Sequence, residues 1–180
     1  MKDIFEYLKE QNELCEIYDE NSESGRFFVG YILSYDEDFV LFQSISTSGK
    51  EDGIQCRIRE SIVKIQTKTL YLKDIQKIMK NNNEGMSLLD LIIEHDNLMG
   101  ILEWAKKENR ICTIILEQNR DESILGKIEN IGDKYVEVQL FDEHGNEDGI
   151  CYFLYSTITD IRVGAEEEKR IERLLKDTTI

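Results

Sequence analysis

Proline is missing from this 180-residue sequence, tryptophan occurs once and histidine twice. Without proline, breaks between elements have to be read from clusters of glycine, asparagine, aspartate and serine. No apolar run approaches the roughly 18 residues that a membrane-spanning helix needs. The opening Met1-Lys2-Asp3-Ile4-Phe5-Glu6 has no signal-peptide core. The expectation is a soluble, cytoplasmic chain with no membrane partner. Cysteine is sparse as well: Cys15, Cys56, Cys112 and Cys151 are scattered with no C-x-x-C pair, whereas zinc needs clustered ligands. Thiols set among β-forming neighbours, as in Leu14-Cys15-Glu16-Ile17, read as buried free cysteines rather than a disulfide framework.

Positive charge is also scarce, with 22 Lys plus Arg against 37 Asp plus Glu and a formal net charge of -15. The deficit is uneven: residues 1–80 hold 11 basic and 15 acidic side chains, residues 81–180 hold 11 and 22. Affinity for nucleic acid comes mainly from neutralising phosphates, so a field of this sign opposes nonspecific binding, and either a basic protein partner or simple solubility accounts for it. What the chain does contain is enough apolar material to fold. Hydrophobic residues make up 41%, and 7 Phe, 8 Tyr and 1 Trp supply anchors, which excludes a disordered polyampholyte. The length suits one ordinary domain or two small ones.

An internal repeat organises those residues. Ile4-Phe5-Glu6-Tyr7-Leu8-Lys9-Glu10-Gln11-Asn12-Glu13-Leu14-Cys15-Glu16-Ile17 aligns with Ile101-Leu102-Glu103-Trp104-Ala105-Lys106-Lys107-Glu108-Asn109-Arg110-Ile111-Cys112-Thr113-Ile114, an offset of about 97. After one deletion the offset is about 96 and persists: Gly30 meets Gly126, Gln43 meets Gln139, Ile62 meets Ile158 and Ile75 meets Ile171. The closest stretch sets Gly49-Lys50-Glu51-Asp52-Gly53-Ile54 against Gly145-Asn146-Glu147-Asp148-Gly149-Ile150. One register held across helix-like, strand-like and turn-like stretches reads as duplication of a module. The boundaries it implies are 1–80 for the first copy, 81–96 for a linker with a helix, and 97–180 for the second copy.

Within each copy the hydrophobic period changes in the same order. Ile4, Phe5 and Leu8, matched by Ile101, Leu102 and Ala105, have helical spacing and predict an opening amphipathic helix. Five strands are then expected over 14–18, 27–34, 39–44, 53–59 and 62–67, and again over 111–116, 123–130, 135–141, 149–155 and 157–163. Turn-rich Asn21-Ser22-Glu23-Ser24-Gly25, Tyr35-Asp36-Glu37-Asp38 and Ser46 to Asp52 separate the first set. Closing helices are expected over 70–80 and 165–177. Asn81-Asn82-Asn83-Glu84-Gly85 reads as the linker, and Met86 to Asn97 as a further helix with an apolar face at Leu88, Leu89, Leu91, Ile92 and Ile93. Short strands at close spacing predict a mainly β fold with flanking helices, two tandem five-stranded barrels that close their own edges. Gly30 and Gly126, mid-strand, mark the sharp bend.

The helix and five strands, with Val29-Gly30-Tyr31-Ile32-Leu33-Ser34-Tyr35-Asp36-Glu37-Asp38-Phe39-Val40-Leu41 and Arg57-Ile58-Arg59-Glu60-Ser61-Ile62-Val63-Lys64-Ile65, resemble the Sm and LSm-like barrel family. The second segment resembles that family's two strands joined by a very tight turn. The resemblance covers about 60 residues in each copy and implies small barrels, ring assembly through the fourth and fifth strands, and RNA binding by loops. The family's RNA-contacting asparagine has no counterpart in Asp36-Glu37-Asp38-Phe39-Val40, and its Arg-Gly step reads Arg59-Glu60 and Tyr155-Ser156. The departures predict that the RNA pocket is not retained.

Candidate sites follow from charge. Asp36, Glu37, Asp38, Asp142 and Glu143 are acidic loop residues suited to a basic protein surface. Under an RNA-binding alternative, Arg57, Arg59, Lys64 and Lys68 would form a basic rim. Asp142-Glu143-His144-Gly145-Asn146-Glu147-Asp148 places oxygen ligands at alternate positions, as a calcium loop does, but the first copy puts Lys50 where a ligand should stand. Glu51-Asp52-Gly53 and Glu147-Asp148-Gly149 therefore read as turns with glycine at positive φ. His95 and His144 have no equivalents in the opposite copy, and no nucleophile setting or phosphate-binding loop is present. Glu166-Glu167-Glu168-Lys169-Arg170 reads as a solvated helical face. The chain is expected to be a non-enzymatic protein-interaction or scaffolding module, without metal or cofactor, of the kind that could inhibit a basic protein as an immunity protein does. RNA binding by a ring or pseudo-ring is the alternative, an enzyme with a cleft between the repeats is the third reading, and homo-oligomerisation is left open.

Overall fold

The computed structural model describes residues 3–20, 27–81, 97–117 and 122–177. The chain divides into two compact units, Met1–Ile92 and Ile93–Ile180. The first unit runs α1 (Ile4–Glu10), β1 (Cys15–Asp19), β2 (Phe28–Tyr35), β3 (Phe39–Ile45), β4 (Glu51–Ile58), β5 (Ile62–Thr67) and α2 (Leu70–Asn81). The second repeats that order with α3 (Asn97–Lys107), β6 (Ile111–Leu116), β7 (Ser123–Ile131), β8 (Tyr135–Phe141), β9 (Glu147–Leu154), β10 (Ile158–Val163) and α4 (Glu166–Asp177). Among the described residues no helix is long and apolar enough to cross a membrane. The expected turn at 21–25, most of the linker and the helix over 86–97, and His95, lie outside the described residues.

The first unit's strands have the order β5-β1-β2-β3-β4 and the second's β10-β6-β7-β8-β9, with neighbours within each unit antiparallel. The sheets are open, because β4 does not neighbour β5, nor β9 β10. This corrects the expectation of barrels that close their own edges: each unit has five strands in an open antiparallel order, without a closing ladder.

Local chemistry repeats along with topology. Asp3 caps α1 by accepting a hydrogen bond from Phe5 N at 2.9 Å. Both α1 and α3 run out at an asparagine of positive φ, Asn12 (46°) and Asn109 (51°). Each is followed by a residue whose amide reaches back to the helix, Glu13 to Leu8 O and Arg110 to Ala105 O. A single 3-10 turn joins β4 to β5 at Arg59–Ser61 and β9 to β10 at Tyr155–Thr157. Its hydroxyl donates back in both copies, Ser61 Oγ to Ile58 O and Thr157 Oγ1 to Leu154 O, each at 2.7 Å.

Asp-Gly is displaced from where the sequence suggests. The chain reverses one step earlier, at Ser46–Lys50, where Gly49 has φ 73° and Ser46 N donates to Lys50 O at 2.8 Å. Asp52-Gly53 then stand opposite the single residue Ser44, a bulge within the ladder, with Gly53 at φ 78°. Asp148-Gly149 do the same opposite Leu140, with Gly149 at φ 90°. The glycines have the expected positive φ, but they make bulges rather than hairpin tips.

In the first unit the sheet is covered on two faces. Phe5 and Leu8 of α1 pack with Cys15, Ile17, Ile32, Val40 and Phe42, and Leu72 and Ile75 of α2 pack with Leu14, Val29, Tyr31 and Ile45. Each such side chain contributes about 1.5–3 kcal/mol on burial. In the second unit Ile171 of α4 packs with Ile111 and Phe141. Cys15, Cys56 and Cys112 are buried thiols outside any disulfide, and Cys151 is half-buried.

Candidate interaction surfaces

Asp36, Glu37 and Asp38 form the loop between β2 and β3. Asp36 spends its carboxylate on its own loop, where Oδ1 accepts from Asp38 N at 2.9 Å and Phe39 N at 2.7 Å. Glu37 and Asp38 project into solvent. Arg59 holds the loop in place: its backbone N donates to Asp38 O at 2.7 Å and its guanidinium to Asp36 O at 3.1 Å. The same guanidinium is ion-paired with Asp3 and lies 5.0 Å from the Phe5 ring centroid. Beside it, a cleft of about 460 Å³ is lined by Ile4, Glu37, Arg59, Glu60, Val63 and Lys64, among others.

The basic candidates for RNA sit in the same unit but do not form a rim of free cations. Arg57 is buried, ion-paired with Asp19 and stacked 4.0 Å from the Phe28 ring centroid. Lys64 lies 3.5 Å from the Tyr18 ring centroid, and Lys68 is 3.7 Å from Glu13. Only Lys64 and Lys68 of the four are exposed, and two ammonium groups offer a phosphate chain little to replace its counterions with.

Asp142 and Glu143 belong to the loop between β8 and β9, the repeat position of Ser46 and Thr47 rather than of the first acidic loop, whose counterparts are Gly132, Asp133 and Lys134. The two acidic candidates therefore stand at opposite ends of the shared plan. Asp142 closes its own turn, accepting from Asn146 Nδ2 and from the amides of Asn146 and His144 at 2.8–2.9 Å. The side-chain bond from Asn146, then the backbone bonds, hold its carboxyl below the usual carboxylate range. Glu143 is exposed, 3.6 Å from His144, and its carbonyl accepts from Arg170. Among the described residues no group of three His, Cys, Asp or Glu is placed to hold a metal ion.

One apolar surface went unread in the sequence. Along β9, Ile150, Tyr152 and Leu154 are 51%, 61% and 54% exposed, while the alternate Phe153 is buried and Cys151 half-buried. Tyr135 of β8, paired with Leu154, extends the patch, with its ring centroid 6.3 Å from that of Tyr152. Tyr152 donates from its hydroxyl to Glu137 at 3.0 Å. The repeat partners of Ile150 and Tyr152, Ile54 and Cys56, are 1% and 0% exposed. The sequence held one usable signal: Leu41, buried in the first unit, is replaced at its repeat position by Glu137, a carboxylate that requires water on that face.

No protein-family profile matches the chain, and no curated protein and no solved structure shows significant similarity to it.

Proposed function

We propose that this chain is a non-enzymatic protein-interaction module built from two Sm-like five-stranded units, and that it contacts its partner through the outer face of β8 and β9. The observation that carries this reading is the row Ile150, Tyr152 and Leu154, each more than half exposed, whereas Ile54 and Cys56, the counterparts of the first two, are buried. Isolated exposed apolar residues need no explanation, but an aligned row with aromatic neighbours marks a contact surface. Glu137, Glu147 and Asp148 surround it with negative charge, which selects a basic partner. RNA binding is the weaker reading, because Arg57 and Arg59 are already committed to Asp19 and Asp3. The test is affinity capture from the native host, comparing the unmodified chain with the triple variant Ile150→Glu, Tyr152→Glu and Leu154→Glu at two salt concentrations. A basic protein retained at low salt, released at high salt and absent with the variant is the expected result. Identical capture by both chains, or a partner with an acidic surface, overturns it.

A further inference from the structure

The same surface says how the partner binds, an inference that rests on the protein-interaction reading. Strand β9 stands at one end of the second unit's order, with β8 as its only neighbour among the described residues. Folded proteins protect outer strands with lysine, proline, bulges or short length, because an unguarded row of amide and carbonyl groups templates another strand. From Ile150 to Leu154 this strand has no charged residue, no proline and no glycine, and its bulge at Asp148-Gly149 ends before that run begins. The outer strand β5 of the first unit carries Lys64 instead, so protection is present there and missing here.

Charge selects the occupant. Glu147 and Asp148 at the start of β9, and Glu143 in the preceding loop, are exposed. A second copy of the chain would bring a net charge of -15 toward this acidic strand, and long-range repulsion opposes that approach. We infer that β9 accepts an extended basic segment of another protein as an added strand, with lysine or arginine beside Glu147 and Asp148 and alternate apolar residues beside Ile150, Tyr152 and Leu154. Main-chain hydrogen bonds along β9 then supply affinity, and the cross-strand side-chain pairs supply register.

The test uses the full chain and a synthetic peptide of alternating valine and threonine with a lysine pair at one end. Two isomers of it are N-methylated, one along each edge. In an added strand one edge donates to β9 and the other faces solvent, so one isomer should lose about ten-fold or more in affinity while the other binds like the parent. Amides between 150 and 154 should also become protected from hydrogen exchange when the parent peptide binds. Equal binding by the two isomers, no binding of the parent, or a chain that dimerises alone and protects the same amides overturns the inference. If the triple glutamate variant abolishes host capture while the isomers bind equally, strand addition fails and the protein-interaction reading stands. If capture survives the variant, that reading fails first.

Discussion

A methyl group added at Gly30 would lie 2.4 Å from the carbonyl oxygen of Gln43, and one at Gly126 would lie 2.2 Å from that of Gln139. Both oxygens belong to a paired strand, so they cannot withdraw without opening the ladder. Gly30→Ala and Gly126→Ala should each cost about 3 kcal/mol or more, read as a lower urea midpoint at unchanged slope. Gly149 has φ 90° but nothing within 4 Å of an added carbon, so Gly149→Ala should cost only the backbone term, about 1–2 kcal/mol. Equal losses at the three sites would contradict the steric argument. Thiol chemistry separates residues in the same way. Burial, with a smaller contribution from Glu13, raises Cys15 to about 12, and burial pushes Cys112 up as well. Since the thiolate is the nucleophile, an alkylating reagent should label half-buried Cys151 first in the folded chain. Mass spectrometry of the peptides would show it, and early labelling of Cys15 or Cys112 would refute it. Asp142 gives the pH dependence. Its hydrogen bonds hold the folded pKa below the ordinary value, so the turn's contribution is complete above the unfolded carboxylate pKa and disappears as pH falls through the folded one. An NMR titration of the Asp142 carboxyl carbon should find its midpoint below that of an unstructured aspartate, and a midpoint at or above that value would refute it.

At the scale of elements, the joint between the first strand and the closing helix is made twice with the partners exchanged. In the first unit the carboxylate is on the strand, where Glu16 accepts from Thr69 just ahead of α2. In the second the hydroxyl is on the strand, and Thr113 donates to Glu168 within α4. Glu168 is fully buried and also accepts from Arg162 Nε and from Ala165 N, both at 2.8 Å, the return half of a capping box. Glu168→Gln should therefore cost about 3 kcal/mol by leaving Arg162 short of its buried partner, whereas Glu167→Gln, at an exposed pair, should cost under about 1 kcal/mol. Chemical denaturation of the two variants decides between this and a solvated helical face. The acidic run at 166–168 looks uniform in sequence because composition does not reveal which side of a helix start faces a hydroxyl from a distant strand. Where the signal is local, the reading succeeds: β5 over 62–67, β6 over 111–116 and β8 over 135–141 match the expected spans, since apolar runs and their turns lie side by side in the chain. The tight turns at Arg59–Ser61 and Tyr155–Thr157 were legible for the same reason. Asp52-Gly53 misled because glycine at positive φ serves a bulge as well as a hairpin tip, and residue type does not distinguish them. Exposure along β9 is not legible in β9 itself, because Ile-x-Tyr-x-Leu reads the same covered or bare; its one sequence signal is Glu137 on the neighbouring strand.

For the whole molecule, the deciding quantity is the imbalance of 37 acidic against 22 basic residues. Ion pairs such as Lys77–Asp74 and Arg173–Glu166 are mostly exposed, and each such pair is worth roughly 0–1 kcal/mol before screening. Repulsion among the surplus carboxylates acts over the Debye length, which shrinks from about 30 Å at 0.01 M salt to about 8 Å at 0.15 M. Folding concentrates that surplus, so the folded state is the one that added salt relieves. Thermal unfolding should shift upward between those two concentrations, by roughly 2–4 °C for each 1 kcal/mol of repulsion removed in a chain of this size. A downward shift would mean that specific ion pairs outweigh the net charge. Screening acts in the opposite sense on the acidic surface around β9, where it weakens attraction for a basic segment and slows association. One variable should thus raise stability while lowering capture. Because unfolding with rising salt would reduce both together, opposite movement of the two readouts distinguishes electrostatic recognition by the folded chain from loss of the fold.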